Sequence, residues 1–240
     1  DVRLATRVLR VGGGRAILGC GLGTEEAVAC DAILVAAGRR ANVEELSLDA
    51  GGVALDGRGF VGNDLHLRTS NRRVFVAGDV AGRWQLTHAA DAMARVAVQN
   101  ALLPWRRRVT SLVMPWCTYT DPEVAHVGMT AEQARGRDDV MTVTASMTDV
   151  DRAIVDGETE GFARLHVARR GGRILGATLV GSHAGESISE VTLALRAGLS
   201  AGTLEDAVHC YPTQAEALRR AAAAWRRSRW KPWMPRVLRR

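Results

Sequence analysis

Two short apolar runs, each stopped by a glycine, constrain this chain more than any other feature. Ala32–Ala37 in "DAILVAAGRRAN" is continuously apolar and ends at Gly38; Val74–Ala77 in "TSNRRVFVAGDVAG" ends at Gly78-Asp79. Runs this short, without polar alternation, have the pattern of strands covered on both faces, as in a parallel sheet. Glycine at the end lets the backbone turn and come close to a ligand. In open α/β sheets, ligands bind beyond the carboxyl ends of the strands. Asp79 stands at such an end, where a short carboxylate can accept hydrogen bonds from sugar hydroxyls. The competing reading is a plain turn, because Gly-Asp is common turn chemistry.

The flanking segments fill in the fold. "VRLATRVLRV", "RAILGC" and "EEAVAC" read as three short strands around glycine turns, a β-meander. "QLTHAADAMARVAVQNALL" has a helical period, with Thr87 as the expected N-cap and Ala90, Met93, Ala94, Ala97 and Val98 as the apolar face. The first N–H groups of such a helix carry partial positive charge and favour an anion; His88 reads as a surface histidine. After a linker at Pro104–Arg108 the character changes. "VMTVTASM", "GFARLHVA" and "GGRILGATLVG" alternate as antiparallel strands, Thr130-x-x-Gln133 spells a capping box, and "ESISEVTLALRAG" is a helix stopped by Gly198. The fold class expected is α/β followed by α+β, the latter an antiparallel sheet with helices on one face.

Composition excludes several functions. No run approaches the ~20 apolar residues of a membrane helix, and no signal peptide pattern opens the chain, so a cytoplasmic protein is expected. The formal charge of +6 is a property of the tail: residues 225–240 hold seven basic residues and no acid, and subtracting those seven leaves −1. Nucleic-acid binding is therefore not implied. Trp225, Trp230 and Trp233 interleave with those charges, a pattern that permits contact with an anionic membrane surface. The favoured reading is a helix extension with packed tryptophans and solvated arginines. Cys20, Cys30, Cys117 and Cys210 have no close spacing, so reduced, mostly buried thiols and no metal site are expected.

"HCYPTQAE", His209 to Glu216, has the look of an acid–base site, with a carboxylate five positions after Tyr211. Thr213-x-x-Glu216 also fits a capping box.

Six blocks in order, "CDAILVAAGRRAN", "TSNRRVFVAGDVAG", "LTHAADAMARVAVQNAL", "YTDPEVAHVGMTAEQAR", "GRILGATLVGSHAGESISE" and "YPTQAEALRRAA", resemble the C-terminal half of class I pyridine nucleotide–disulfide oxidoreductases. These flavoenzymes include dihydrolipoamide dehydrogenase, glutathione reductase and mercuric reductase. The resemblance implies FAD and NAD(P)H as cofactors, a remnant of the two-dinucleotide-binding-domain flavoprotein fold, and a small-molecule or thiol/disulfide acceptor. It implies the end of an NAD(P)-binding domain at 1–39, a returning FAD-domain segment at 40–108, and a dimerisation domain at 112–224, with the basic tail at 225–240. Asp79, after Gly78, matches the aspartate that holds the ribityl chain of FAD, and Gly38 the close-approach glycine ending the NAD(P) domain. Thr87, His88 and Ala89 match the helix start facing the flavin. In a homodimer, the motif bearing Tyr211 and Glu216 would reach the flavin and disulfide of the other subunit.

The chain departs from the family at Tyr211, which stands where the disulfide reductases carry a proton-shuttling histidine. Tyrosine, with a pKa near ~10, is a poor shuttle at neutral pH; its presence points to the mercuric reductase-like branch. Cys210 is then a lone thiol beside the site or a buried small residue. The resemblance places the dinucleotide fingerprints and redox cysteine pair before Asp1, since "GGG" at 12–14 and "GCGLG" at 19–23 neither follow a buried strand nor open a helix. The expectation is the C-terminal portion of an oxidoreductase, inactive and weak in FAD binding by itself. The alternative is a stand-alone, non-enzymatic dimerisation or interaction module.

Overall fold

The computed structural model of the protein describes residues 1–20 and 23–229. They divide into two compact units, the first ending at Arg40 and the second beginning at Ala41.

In the first unit, β1 (Thr6–Gly12), β2 (Arg15–Cys20) and β3 (Thr24–Ala29) form the expected antiparallel meander in the order β1-β2-β3. The pairing runs Val11↔Ala16 and Ile17↔Ala27, with a bulge between Val8 and Arg10. Arg10 pairs with Glu25 across the sheet at 2.8 Å. The strand expected at Ala32–Ala37 does not form: residues 31–40 are without strand structure and exposed, Leu34 at 92%. A strand exists only through its ladder, and among the described residues no segment supplies one to this run.

In the second unit, Val74–Ala77 is likewise no parallel strand. It pairs locally, through a single antiparallel bridge between Arg68 and Phe75 flanked by Val76 N–H donating to the Leu67 carbonyl at 2.9 Å. Val76 and Leu67 still enter a small core with Val53, Val61, Met93 and Val96. Helix α1 (Thr87–Leu102) packs on that core, but its buried face is Ala89, Met93, Val96, Ala97 and Asn100; Ala94 and Val98 point outward. Asn100 explains the offset. Its amide donates to the carbonyls of His66 (2.9 Å) and Arg107 (2.8 Å) and accepts from Arg107 N–H (2.7 Å), so a polar side chain is buried fully bonded and draws its side of the helix inward.

The remainder is the expected α+β layer. Strands β4 (Trp116–Thr118), β5 (Val124–Gly128), β6 (Val140–Ser146), β7 (Phe162–Ala168) and β8 (Ile174–Val180) form one antiparallel sheet ordered β4-β5-β8-β7-β6. Period-2 alternation decides its faces. Val127, Ala177, Leu165 and Val143 lie side by side across four strands and are all buried, whereas the adjacent row, His126, Thr178, Arg164 and Thr144, points the other way. Burial of such aliphatic side chains contributes roughly 1.5–3 kcal/mol each.

Helices α4 (Ala184–Ala197) and α6 (Glu216–Ser228) cover the apolar face, α4 over β5 and β8, α6 over β6 and β7. Short helices α2 (Ala131–Ala134), α3 (Asp151–Asp156) and α5 (Ala201–Asp206) complete the layer. The capping box of Thr130 and Gln133 forms in both directions, and Gly198 ends α4 in the left-handed conformation.

At the C-terminal end of α6, Trp225 is packed beneath the β7–β8 turn, as the tail reading expected. Arg226 is not simply solvated: it pairs with Asp206 at 2.6 Å and with Glu205. Trp230, Trp233 and the rest of residues 230–240 lie outside the described residues. The cysteine expectation needs correcting: Cys30 is half-buried in a loop, Cys117 is half-buried on the edge strand β4 and packs against the sheet core, and Cys210 is exposed. Among the described residues, no helix is long and apolar enough to cross a membrane.

Candidate functional site

Two sites emerge in the second unit. The first is the turn at Gly78-Asp79. Gly78 has φ +84, a conformation that side-chain-bearing residues rarely adopt, and a Cβ there would lie 3.3 Å from the Cβ of Ala90 on α1. The glycine therefore lets the turn lie against the helix. Asp79–Ala81 is a single 3-10 turn, and the Val80 carbonyl accepts from Val61 N–H at 2.9 Å. Asp79 is exposed on this turn.

The start of α1 is the second part of that site. Leu86, not Thr87, is the N-cap, and no side chain caps the helix; Thr87 is already its first residue because the chain leaves the extended conformation only after Leu86. The helix thus keeps amide donors and its positive dipole end for a polar group. Thr87 and His88 are exposed and Ala89 is buried. His88 Nε2–H donates to the Pro115 carbonyl at 2.8 Å, tying the helix start to the chain entering the sheet. These features fit an FAD polyol and ring edge: an exposed carboxylate acceptor beside uncapped donors, with a glycine where the backbone must approach. Gly38 lies in the first unit with φ +101 and open space around it; it ends no strand there.

Gly57-Arg58-Gly59-Phe60-Val61-Gly62 satisfies G-x-G-x-x-G, yet it forms the tip of a hairpin: Leu55 bridges to Val61, and Gly59 N–H donates to the Asp56 carbonyl at 3.0 Å. It opens no helix, so it is no phosphate cradle.

The second site is the motif preceding α6. An open cleft of about 310 Å³ is lined by Asp206, His209, Cys210, Tyr211, Glu216 and Arg219, among others. Tyr211 is 72% exposed. Its hydroxyl donates to Asp151 Oδ2 at 2.8 Å, and that carboxylate, as the main cause, raises the phenol above its ordinary pKa. Glu216 is only 6% exposed; its Oε1 accepts from Arg219 (2.9 Å) and Arg220 (3.2 Å), while Oε2 is buried without a partner. The capping box expected of Thr213 and Glu216 is absent. Thr213 Oγ1 donates instead to the Cys210 carbonyl at 2.9 Å, and Ala215 is the N-cap. Glu216 is itself the first helical residue, too early to reach back as a box requires.

His209 is engaged on both sides. Nδ1–H donates to the Ala207 carbonyl and Nε2 pairs with Glu190 Oε1 on α4, each at 3.0 Å. No sequence pattern announced Glu190, Asp151 or Asp156, which reach the motif from far along the chain. The arginines at i+3 and i+4 of Glu216 were visible as helical spacing.

Comparison with known proteins identifies the family. The model of the pyridine nucleotide-disulphide oxidoreductase dimerisation domain matches residues 114–222, and that of pyridine nucleotide-disulphide oxidoreductase matches residues 1–94. Mercuric reductase of Staphylococcus aureus is 36% identical over 201 residues, covering 83% of this chain and 37% of its own length. Dihydrolipoyl dehydrogenase of Chlamydia muridarum is 35% identical over 187 residues, covering 78% of this chain and 40% of its own. Among solved structures, the HOCl-induced flavoprotein disulfide reductase RclA from Escherichia coli superposes with a TM-score of 0.78 at 29% identity, over 88% of this chain and 48% of that one. The chain thus spans well under half the length of the two curated relatives.

Proposed function

This chain belongs to the pyridine nucleotide–disulphide oxidoreductase family, and from that premise we propose that it carries the flavin-facing turn and subunit-interface part of an FAD- and NAD(P)H-dependent oxidoreductase. The observation that supports this most is a buried carboxylate, Glu216, with one oxygen unpartnered beneath an exposed phenol, Tyr211, in an open cleft. A buried acceptor left unpaired carries a cost that calls for an explanation, and this one lies on the cleft that Tyr211 also lines.

When bound, FAD would supply two-electron transfer between nicotinamide and acceptor. In this reading Asp79 accepts hydrogen bonds from the polyol chain. The amides at Thr87, His88 and Ala89, with the α1 dipole, donate toward the negative edge of the ring system. Residues 1–39 close the NAD(P) domain, 40–108 return to the FAD domain, and 112–224 pair two subunits, so that each cleft serves the partner's flavin. The phenol of Tyr211 stays protonated at neutral pH and so contributes a hydrogen bond, not a proton relay. That suits a mercuric reductase-like acceptor chemistry, on a small molecule or a thiol/disulfide, in the cytoplasm. By themselves the 240 residues should hold flavin weakly, because among the described residues no G-x-G-x-x-G stretch follows a strand and opens a helix to take the pyrophosphate.

The test is purification of the product of the complete reading frame, with visible absorbance, light scattering and NAD(P)H oxidation measured together. A flavin-bearing dimer is expected, with Asp79→Ala releasing flavin and Glu216→Gln lowering turnover while flavin stays. A colourless protein inert toward NAD(P)H with disulfide, quinone and metal-ion acceptors alike would overturn the assignment.

A further inference from the structure

The loop carrying Tyr211 is held from two helices. His209 is tied to Glu190 on α4, and because its other nitrogen bonds to Ala207, neither ring nitrogen is offered to the cleft. Gln214 Nε2 donates to Asp156 Oδ2 at 3.3 Å, at the end of α3. Asp156 is itself fixed by Arg152 on the same helix. At the start of α3, Asp151 takes the phenol proton of Tyr211 at 2.8 Å, sixty residues away in sequence. The ring of Tyr211 is largely in solvent, so packing does not orient it. The bond to Asp151 is the contact that does.

We propose that Asp151 is a positioning residue for Tyr211: it fixes the phenol at the mouth of the cleft and commits its proton inward, so that the oxygen lone pairs are what an incoming group meets. This deepens the functional reading above and rests on it, in that Tyr211 is taken as a site residue. A phenol has one proton and two acceptor sites. With the proton held by a carboxylate in a charge-assisted bond, the exposed oxygen becomes an acceptor, suited to an N–H or O–H donor or a cation, and unsuited to giving its proton away. Glu216 and Arg220 also act on this phenol, in opposite senses and each more weakly than Asp151.

The chain has two tyrosines, Tyr119 and Tyr211. A Tyr119→Phe background therefore leaves one phenol, whose ionisation is read by ultraviolet absorbance on the purified chain, with circular dichroism confirming that the fold persists. Tyr211 is expected to ionise above the ordinary ~10 of a free phenol, and Asp151→Ala should bring the midpoint down toward that value. Glu216→Gln should move it less. Asp151→Asn, which keeps the side-chain size, should behave like Asp151→Ala and replaces it if the alanine variant unfolds. An unchanged midpoint in a folded Asp151 variant, or a larger shift from Glu216→Gln, overturns the proposal. The titration needs neither flavin nor turnover, so its failure is separable from failure of the oxidoreductase reading.

Discussion

Replacing Glu216 with Gln should leave the stability of the chain nearly unchanged. Glu216 pairs with Arg219 and Arg220 at helical i+3 and i+4 spacing, and both arginine side chains are about a third exposed. Pairs of that kind contribute about 0.3–0.5 kcal/mol each once solvent screening is counted. Its charge at the first position of α6 adds about 0.3–1 kcal/mol through the helix dipole. The side chain therefore contributes about 1–2 kcal/mol, set against about 1–3 kcal/mol for keeping Oε2 buried without a donor. Glutamine keeps an oxygen for the arginines and puts a neutral amide, less costly to bury unbonded than a charged oxygen, where Oε2 lies, so the two sides cancel to within about 1 kcal/mol. For a chain of this size that corresponds to a melting shift under about 4 °C. The assay is thermal and urea unfolding of wild type and variant, followed by circular dichroism. A loss above about 3 kcal/mol is the size seen on breaking a fully satisfied buried pair. It would mean that Oε2 has a donor in the folded chain, and the inference that Glu216 is held for a ligand or partner would fall.

Gly172 has φ +68, and a Cβ there would sit 2.2 Å from Cζ2 of Trp225, which is 8% exposed. Gly172→Ala combines left-handed strain of about 1–2 kcal/mol with overpacking of about 1–3 kcal/mol, so urea unfolding should show a loss of at least about 2 kcal/mol; a change under about 1 kcal/mol would contradict this packing. His166 is 1% exposed with Nε2 unpartnered, and burial, then the charges of Arg164 and His126, push its pKa below the ordinary histidine value. Its folded form resists a proton that the unfolded chain accepts near ~6.5, so its stabilising contribution is complete above that pH and lost as pH falls below it. Unfolding midpoints of His166→Asn against wild type from neutral to mildly acid pH should show a flatter dependence in the variant, and parallel curves would refute the assignment.

The legible parts of the chain are those whose signal is local. β6, β7 and β8 follow from alternation, because one face must pack on helices and the other need not. The stop at Gly198 and the Thr130–Gln133 box are decided by a few neighbouring atoms. The run Ala32–Ala37 has as good a strand pattern as any of these, and it fails because a strand also requires a partner that its own residues cannot specify. Helix α1 shows a subtler limit: the period was right, but the face was misplaced because Asn100, polar by composition, is buried by three hydrogen bonds to segments elsewhere.

The motif before α6 shows both limits at once. The spacing of Tyr211 and Glu216 points to a candidate site, and the resemblance implies a role for each, but the local rule that would explain Glu216, a capping box with Thr213, does not operate. Ala215, an indifferent N-cap, stands where the helix begins, and the carboxylate is drawn inward beneath the cleft with one oxygen unsatisfied. Good local chemistry was available one turn earlier and is spent on the Cys210 carbonyl instead. When a chain passes over an available cap and buries a charge in its place, the local rules have been overridden by a requirement that lies outside the helix. Asp151, Asp156 and Glu190 hold the same loop from α3 and α4, and in the proposed reading that requirement is the orientation of Tyr211 at the cleft.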